Sequence, residues 1–334
     1  MGFLQDITPH NIVDVLGPTE RRCIVKCRAL DLIPVMDPAF YACPTCHGPV
    51  GKRDKPSEKL GYTFRCKAKE CGRTLSPLAN TIFERSKLPL LTILTAVYWF
   101  VNEVTRAQAS SFLKVSEPSI TALWKKLRHA CGQLGSWNQI GGENLIVECD
   151  ETHVFRKYYR GRALAGEDRW IFGAFCRETQ ESFFISVPNR QKETIWPVMA
   201  ARIREGSIVI MDSAAFYHGV QEVGFQAHLT INHSATRGNK FVRQVLVPRL
   251  GRVVEVHTNN IEVQWKLLKA RIDSFHNDDI VEGYLEKAQY FRNTLDKMPR
   301  EARFGQFLKD LARIYPGPPR ALTSDPDELS LIHI

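Results

Sequence analysis

Helical periodicity dominates the chain before residue 135. Between residues 117 and 129, apolar side chains recur at i, i+3, i+4 and i+7, which predicts an amphipathic helix. They are Ile120, Leu123, Trp124 and Leu127. Residues 105–113 form another helical segment, and Lys114, Val115 and Ser116 separate the two. The pattern therefore predicts two helices joined by a short turn, and residues 11–16 and 20–32 predict two more.

After Gly141 and Gly142 the pattern changes to short β-rich runs. The predicted strands are 145–150, 169–177, 182–188, 207–211 and 227–232, and the predicted helices are 192–204, 259–272 and 281–293. Because only a short polar segment separates the second run from the third, these two predict consecutive antiparallel strands. Three strands, a helix, two strands and a helix is the order of a ribonuclease H-like fold. The sequence therefore predicts an α/β domain of that class.

Basic residues are concentrated at the front of the chain. Residues 1–135 hold 19 Lys and Arg against 11 Asp and Glu, whereas the remaining residues hold 26 against 25. A folded basic segment indicates an anionic partner, most commonly nucleic acid, although a solvated lysine-rich face fits the charge equally well. No apolar run approaches the length of about 20 residues that spans a membrane. The N-terminus lacks a basic start, so we expect an intracellular protein without a membrane partner.

Four of the nine cysteines form the pairs C-x2-C and C-x4-C, with 19 residues between them. Two close pairs let two tight turns present four thiolates tetrahedrally, as structural zinc requires. The predicted ligands are Cys43, Cys46, Cys66 and Cys71. The first pair followed by His47 also matches the haem-attachment string C-x-x-C-H, but haem would leave the second pair unexplained. We expect the other five cysteines to be buried thiols.

Cations beside the predicted zinc ligands suit contact with phosphates. The candidates are Lys67, Lys69 and Arg73. A zinc ribbon that only braces its neighbours is the alternative. In the helix pair, the second helix is expected to expose basic residues opposite its apolar stripe, as a major-groove reader requires. These are Lys125, Lys126 and Arg128. Most helix pairs with such a face are simply solvated, so the spacing leaves both readings open.

Three acids lie at the edges of predicted elements. Asp150 ends the first strand, Asp212 closes a buried apolar strand, and Glu262 opens a helix. A carboxylate at the end of a buried strand is costly unless it is paired or holds a cation. The acids therefore predict a divalent-metal site for phosphodiester chemistry, with surface acids as the alternative. On the helix of Glu262, Lys266 and Lys269 are expected to meet DNA.

From about Cys43 to Phe291 the chain resembles a Merlin-type DDE transposase, of a superfamily shared by bacterial insertion sequences and eukaryotic transposons. The matching strings are the four cysteines, residues 81–89 and 147–152, Tyr158-x-Arg160-Gly161-Arg162, Trp170-x-Phe172-Gly173, Met211-Asp212 with Tyr217, Asn232-His233-Ser234, and His257-Thr258-Asn259-x-Ile261-Glu262-x-x-Trp265-x-x-Leu268-Lys269. The resemblance places the catalytic triad on Asp150, Asp212 and Glu262, rather than on Glu148 or Glu151.

The chain departs from the family pattern in two places. Residues 213–215 are Ser-Ala-Ala where the family tends to have an aromatic residue. The basic stretch 234–256 is longer than expected, and it is either a hairpin that contacts DNA or a variable loop. Neither departure touches the triad, so they bear on efficiency and DNA specificity rather than on the reaction.

The resemblance implies a transposase that binds terminal inverted repeats, cleaves DNA and transfers 3′-hydroxyl ends into target DNA. It further implies two Mg²⁺ or Mn²⁺ ions bound by the triad, structural Zn²⁺, double-stranded DNA as partner, and a homodimer or larger assembly. The alternatives are a non-catalytic regulator derived from a transposase and a ribonuclease H-like nuclease without strand transfer. Residues 83–88 are closer to eukaryotic members, which slightly favours the nucleus over a bacterial cytoplasm or nucleoid.

The predicted organisation has five parts. They are a helical lead-in (1–40), a zinc ribbon (41–80), a helix-turn-helix-like DNA-binding domain (86–136), a ribonuclease H-like catalytic domain (143–295), and a C-terminal helix followed by a disordered tail (296–334). The tail prediction rests on residues 318–334, which are rich in proline and acids.

Overall fold

The computed structural model describes residues 7–35, 37–135, 139–155, 158–159, 162–163, 169–212, 219, 224–231, 242–248, 251–271 and 278–320. The chain divides into two compact units. The first comprises Met1–Lys126 together with Met298–Ile334, and the second comprises Leu127–Lys297. No helix among the described residues is long and apolar enough to cross a membrane.

The helices are α1 (Ile12–Leu16), α2 (Glu20–Ala29), α3 (Leu90–Val101), α4 (Arg106–Leu113), α5 (Glu117–Gly135), α6 (Lys192–Arg202), α7 (Asn259–Arg271), α8 (Asp278–Asn293) and α9 (Arg300–Ile314). Short 3-10 helices lie at Pro38–Phe40 and Leu295–Lys297. The strands are β1 (Val50–Asp54), β2 (Tyr62–Cys66), β3 (Thr74–Leu75), β4 (Ile146–Phe155), β5 (Tyr158–Tyr159), β6 (Arg162–Ala163), β7 (Arg169–Cys176), β8 (Ser182–Val187), β9 (Ile208–Asp212), β10 (Ala227–Ile231), β11 (Arg243–Val247) and β12 (Arg252–Val256).

Helix α3 is the central helix of the first unit. Nine of its 12 residues are buried, as expected for a helix that is apolar on nearly all sides. Its Phe100 stacks on Phe307 of α9, with ring centroids 5.7 Å apart. Its first N–H group, on Leu90, donates to the carboxylate of Glu20 in α2 at 2.7 Å. The C-terminal helix α9 therefore completes a core that begins with the first helices of the chain.

The predicted pair of helices before residue 135 is confirmed. A capping box formed by Thr105 and Gln108 starts α4. Helix α4 ends where Lys114 adopts a left-handed conformation with φ of 52°, and α5 begins at Glu117. Helix α5 continues to Gly135, past the predicted end.

The tail prediction is wrong at its beginning. The N–H of Ala42 donates to the carbonyl of Pro319 at 3.0 Å, and Tyr41 forms an antiparallel bridge with Arg320. Residues 319 and 320 are therefore paired with the segment that precedes β1. Residues 321–334 lie outside the described part of the chain.

A five-stranded mixed sheet forms the centre of the second unit, in the order β10-β9-β4-β7-β8. Strands β4, β7 and β8 pair antiparallel, as predicted for the last two. Strand β9 runs parallel to β4, and β10 runs parallel to β9. All five predicted strands are present, so the predicted α/β class is confirmed.

Side chains alternate between the two faces of this sheet. One face packs against α6 through Ile195 and Met199. The other packs against α7 and α8 through Trp265 and Leu285, and further along against the hairpin β11-β12. The hairpin lies within the long basic stretch noted above, and its contact with DNA stays a prediction.

Candidate functional site

The three predicted acids lie on the face of the sheet that carries α7. In β4, Glu148 pairs with Ile210 of the parallel strand β9, and the next residues on the same face are Asp150 and Asp212. Glu262 lies in the first turn of α7, which packs on β4 and β7. Strand alternation and helix packing thus direct all three carboxylates toward one region.

The charges of the three acids interact. The pKa of Asp150 is raised to about 6, chiefly by burial and in smaller part by the nearby carboxylates of Asp212 and Glu262, while hydrogen bonds from Trp265 and from the backbone N–H of Glu151 oppose the shift. Mutual repulsion of this kind is relieved by a cation, and oxygen ligands suit Mg²⁺ or Mn²⁺. In the described part of the chain, only the four cysteines form a group of at least three ligands within 4.8 Å of one another. Asp150, Asp212 and Glu262 do not form such a group, although the charges of Asp212 and Glu262 act on Asp150.

Trp265 holds Asp150 in place. Its Nε1 donates to Oδ2 of Asp150 at 2.8 Å, and the indole is buried. The ring lies over Gly173, which pairs with Asp150 across β4 and β7. A Cβ atom at Gly173 would lie 2.3 Å from the Trp265 ring. No role was predicted for either residue, although a glycine inside a strand is a known sign of close approach.

We expect Gly173→Ala to lower the free energy of unfolding by about 1–3 kcal/mol, the usual cost of overpacking a well-filled core. The added methyl group also meets the carbonyl of Phe183 at 3.1 Å, which leaves little room for relaxation. Urea denaturation measures the change. Gly135→Ala is the control, because its Cβ would make an ordinary contact 3.5 Å from Tyr290. Equal stability of the two variants would contradict the assignment of Gly173.

The resemblance does not place the catalytic triad on Glu148, and in the structure the environment of Glu148 differs from that of the three acids. Its side chain is fully buried and accepts hydrogen bonds from the backbone N–H groups of Asn260 at 2.9 Å and Ile261 at 3.1 Å. Those N–H groups belong to the first turn of α7, whose donors have no partner within the helix. Glu148 therefore acts as an acceptor for the start of the helix that carries Glu262.

Glu151 lies on the opposite face of β4, as predicted from strand alternation. Its pKa is raised to about 8, chiefly by burial and in smaller part by the carboxylates of Asp150 and Asp212, while the positive charge of Arg190 opposes the shift. Its Oε1 is buried and accepts no hydrogen bond from any described residue. The acids at this end of β4 thus share one electrostatic environment.

The four predicted zinc ligands converge beside the sheet β1-β2-β3. Their sulfur atoms all lie within 4.8 Å of one another, with Cys43 Sγ 3.6 Å from Cys71 Sγ and Cys46 Sγ 3.4 Å from Cys66 Sγ. Backbone N–H groups of Cys46 and Thr45 lower the pKa of the Cys43 thiol to about 6. Four convergent sulfurs at this spacing fit a structural Zn²⁺.

Most of the predicted DNA-contacting cations are exposed: Lys67, Lys69, Arg73, Lys125, Lys266 and Lys269. Two are not, and the expectation that they face solvent is wrong. Lys126 is half-buried and donates to the carbonyls of Thr81 and Ile82. Arg128 is only 6% exposed, and its guanidinium lies 4.5 Å from the ring centre of Tyr284. Neighbouring elements therefore cover part of the polar side of α5 as well as its apolar stripe.

Several residues of the family strings lie outside the described part of the chain. They are Arg160, Gly161, Tyr217, Asn232, His233 and Ser234, and the Ser-Ala-Ala segment 213–215 lies there too.

Comparison with known proteins bears on the second unit. Residues 140–293 match the family model of the ISXO2-like transposase domain, whereas no curated protein matches the chain. The matched segment includes Asp150, Asp212 and Glu262. Such a domain indicates an enzyme that acts on DNA with divalent metal. The match supports a DDE transposase family for residues 140–293, and it does not bear on the Merlin type.

Proposed function

We propose that this protein is a DNA transposase of the Merlin type, which cleaves DNA at terminal inverted repeats and joins the 3′-hydroxyl ends to a target. The observation that carries the proposal is the gathering of Asp150, Asp212 and Glu262 within a segment similar to a transposase domain. The strand order β10-β9-β4-β7-β8, with the first three strands in sequence antiparallel, further supports a ribonuclease H-like catalytic domain.

The residues at this site fit a pair of Mg²⁺ or Mn²⁺ ions. Carboxylates are their preferred protein ligands, and a cation would favour the ionised form of Asp150, whose pKa is raised chiefly by burial and in part by Asp212 and Glu262. Bound there, divalent ions would supply a Lewis acid for the attacking hydroxyl and for the leaving oxygen of an in-line displacement. Asp150, Asp212 and Glu262 would hold the ions, and Trp265 fixes the carboxylate of Asp150.

Two exposed surfaces support DNA as the substrate. Lys266 and Lys269 lie on α7, the same helix as Glu262, and cations there can meet phosphates close to the acids. Lys67, Lys69 and Arg73 lie beside the zinc-ligand cysteines. Arg73 donates to Thr45 Oγ1 at 2.6 Å, which links it to the turn that carries Cys43 and Cys46. The zinc module thus presents cations on a scaffold that a metal would hold rigid.

A strand-transfer assay tests the proposal. Pre-cut DNA ends carrying the inverted repeats that flank the gene are incubated with supercoiled plasmid, Mg²⁺ and the protein. We expect joined products in which both strands of the plasmid carry an inserted end. Cleavage without joining would instead identify a nuclease, and binding without either reaction would identify a regulator.

A further inference from the structure

Glu148 is a charged group in the apolar interior of the second unit. Its side chain has no exposed area, and a buried carboxylate is costly unless hydrogen bonds satisfy it. Besides the N–H groups of Asn260 and Ile261, it accepts from the side-chain amide of Asn260 at 2.7 Å. His257 Nδ1 lies 3.4 Å from its Oε1. Most of its partners therefore belong to residues 257–261, the segment that leads into Glu262.

Arg177, just after β7, completes the arrangement. Its Nε donates to Oε1 of Glu148 at 2.6 Å, and its two terminal nitrogens donate to the carbonyls of Glu255 at 2.7 Å and His257 at 3.0 Å. A guanidinium presents its donors in a fixed planar fork, so three acceptors bound at once are held at set positions. Arg177 thus ties β4 and the end of β12 to the entry of α7.

Helix α7 is consequently attached to β4 at two places. At its first turn, Glu148 accepts from the free N–H groups; one turn later, Trp265 donates to Asp150. Glu262 lies between these two points, and Asp150 is two residues from Glu148 on the same strand. The same contacts that orient the helix therefore set the distance between its acid and the acids of the sheet.

We propose that Glu148 and Arg177 are positioning residues that hold the first turn of α7 on β4, so that Glu262 stays near Asp150 and Asp212 and the three acids can bind a divalent cation together. The inference rests on the proposed function, since it takes the three acids to bind such a cation. Neither residue touches the reacting atoms; both act through the backbone that carries Glu262.

The same helix supplies a matched control at its other end. Arg271, the last residue of α7, donates to Asp296 at 3.0 Å, and the two side chains are 16% and 15% exposed. The Arg177 side chain is also 16% exposed. Asp296→Asn therefore removes a second, slightly more exposed ion pair from the same helix without touching the turn that holds Glu262.

Terbium binding to the zinc-loaded protein tests the inference without reference to activity. Tb³⁺ replaces hard divalent cations at oxygen sites, and its emission is sensitised by a nearby indole, here Trp265 beside Asp150. The part of the Tb³⁺ emission that is absent in the Asp212→Asn variant reports binding at this site. In Glu148→Gln, an NH₂ group replaces one acceptor oxygen and cannot accept from Asn260 or Arg177. We expect the dissociation constant for Tb³⁺ to rise about 10- to 100-fold, as when partners of metal ligands are removed.

Asn260→Ala removes only the side-chain bond to Glu148, and we expect a smaller shift in the same direction. If Glu148→Gln does not fold, the dissociation constant of the Asn260→Ala variant tests the inference in its place. Asp296→Asn should lower the thermal midpoint and leave the dissociation constant unchanged. The inference is overturned if the folded Glu148 and Asn260 variants bind Tb³⁺ like the wild type, or if Asp296→Asn weakens binding equally.

Failure of the proposed function gives a different result. A wild-type protein that binds Tb³⁺ at this site, but neither cuts nor joins DNA, would refute the transposase and leave the positioning role standing. A wild-type protein whose Tb³⁺ signal equals that of Asp212→Asn would have no cation site there, and this would overturn the positioning role itself.

Discussion

Asp212→Asn is expected to abolish Mg²⁺-dependent DNA cleavage while DNA binding persists. Asparagine keeps the shape of the side chain but removes the negative charge with which Asp212 would hold a cation beside Asp150. Metal ions contribute several kcal/mol of transition-state stabilisation, so we expect the cleavage rate to fall by about 10³-fold or more. Cleavage of a labelled inverted-repeat duplex measures the loss, and a gel-shift titration of the same duplex measures binding.

Asp296→Asn serves as the control, because it also neutralises a partly buried acid of the second unit, one that pairs with Arg271. It should cleave DNA at nearly the wild-type rate. Undiminished cleavage by the Asp212 variant in Mg²⁺ would show that Asp212 is not a metal ligand and would contradict the catalytic assignment.

Cys46→Ser is expected to release zinc and unfold the module around β1, β2 and β3. The apolar core of that module is small, so it depends on the metal: the buried residues are Tyr41, Cys43, Val50, Tyr62, Phe64 and Cys66. Structural zinc contributes about 10–16 kcal/mol of apparent binding free energy in small zinc domains, far more than such a core supplies. Elemental analysis gives the zinc content, and limited proteolysis at the exposed lysines Lys52 and Lys55 reports unfolding.

Cys131→Ala is the matched control, since Cys131 is a buried thiol outside the cluster. It should retain one zinc per chain and resist proteolysis. If Cys46→Ser retains its zinc, the four sulfurs do not form the metal site. If it loses the zinc and still resists proteolysis, the apolar residues alone hold the module.

The secondary structure was largely predictable because its signals are local. The spacing of Ile120, Leu123, Trp124 and Leu127 depends only on the period of a helix, and all four are buried in α5. The convergence of the four cysteines was equally predictable, since two close pairs can present four thiolates whatever surrounds them. The ends of elements were less accurate: α5 extends to Gly135 and β4 extends to Phe155.

Side-chain exposure was predicted less well, because it depends on what packs against each face. A helical period separates the apolar stripe of α5 from its polar side, yet Arg128 lies against Tyr284 and Lys126 binds two carbonyl groups. Long cationic side chains bury their stems and find acceptors wherever neighbouring elements offer them. No pattern within residues 117–135 contains that information.

The candidate site shows the same division. Position along the chain indicated correctly that Asp212 ends a strand and that Glu262 opens a helix, whereas Asp150 lies within β4 and not at its end. The link from Trp265 to Asp150 across Gly173, and the use of Glu148 as an acceptor for the first turn of α7, join residues more than 90 positions apart. Such contacts follow from strand register and helix packing, which are set by the whole unit.

Local spacing was therefore sufficient for the helices, the five strands of the large sheet and the convergence of the four cysteines, whereas the choice of Asp150, Asp212 and Glu262 also needed the family resemblance and stays a prediction. Only the folded chain decides that α9 joins the core of the first unit through Phe307 and Phe100, and that Glu148 accepts hydrogen bonds from the first turn of α7. The reason is physical. Periodicity and ligand spacing are properties of neighbouring residues, whereas burial, pKa and hydrogen-bond partners depend on segments that meet only after the chain has folded.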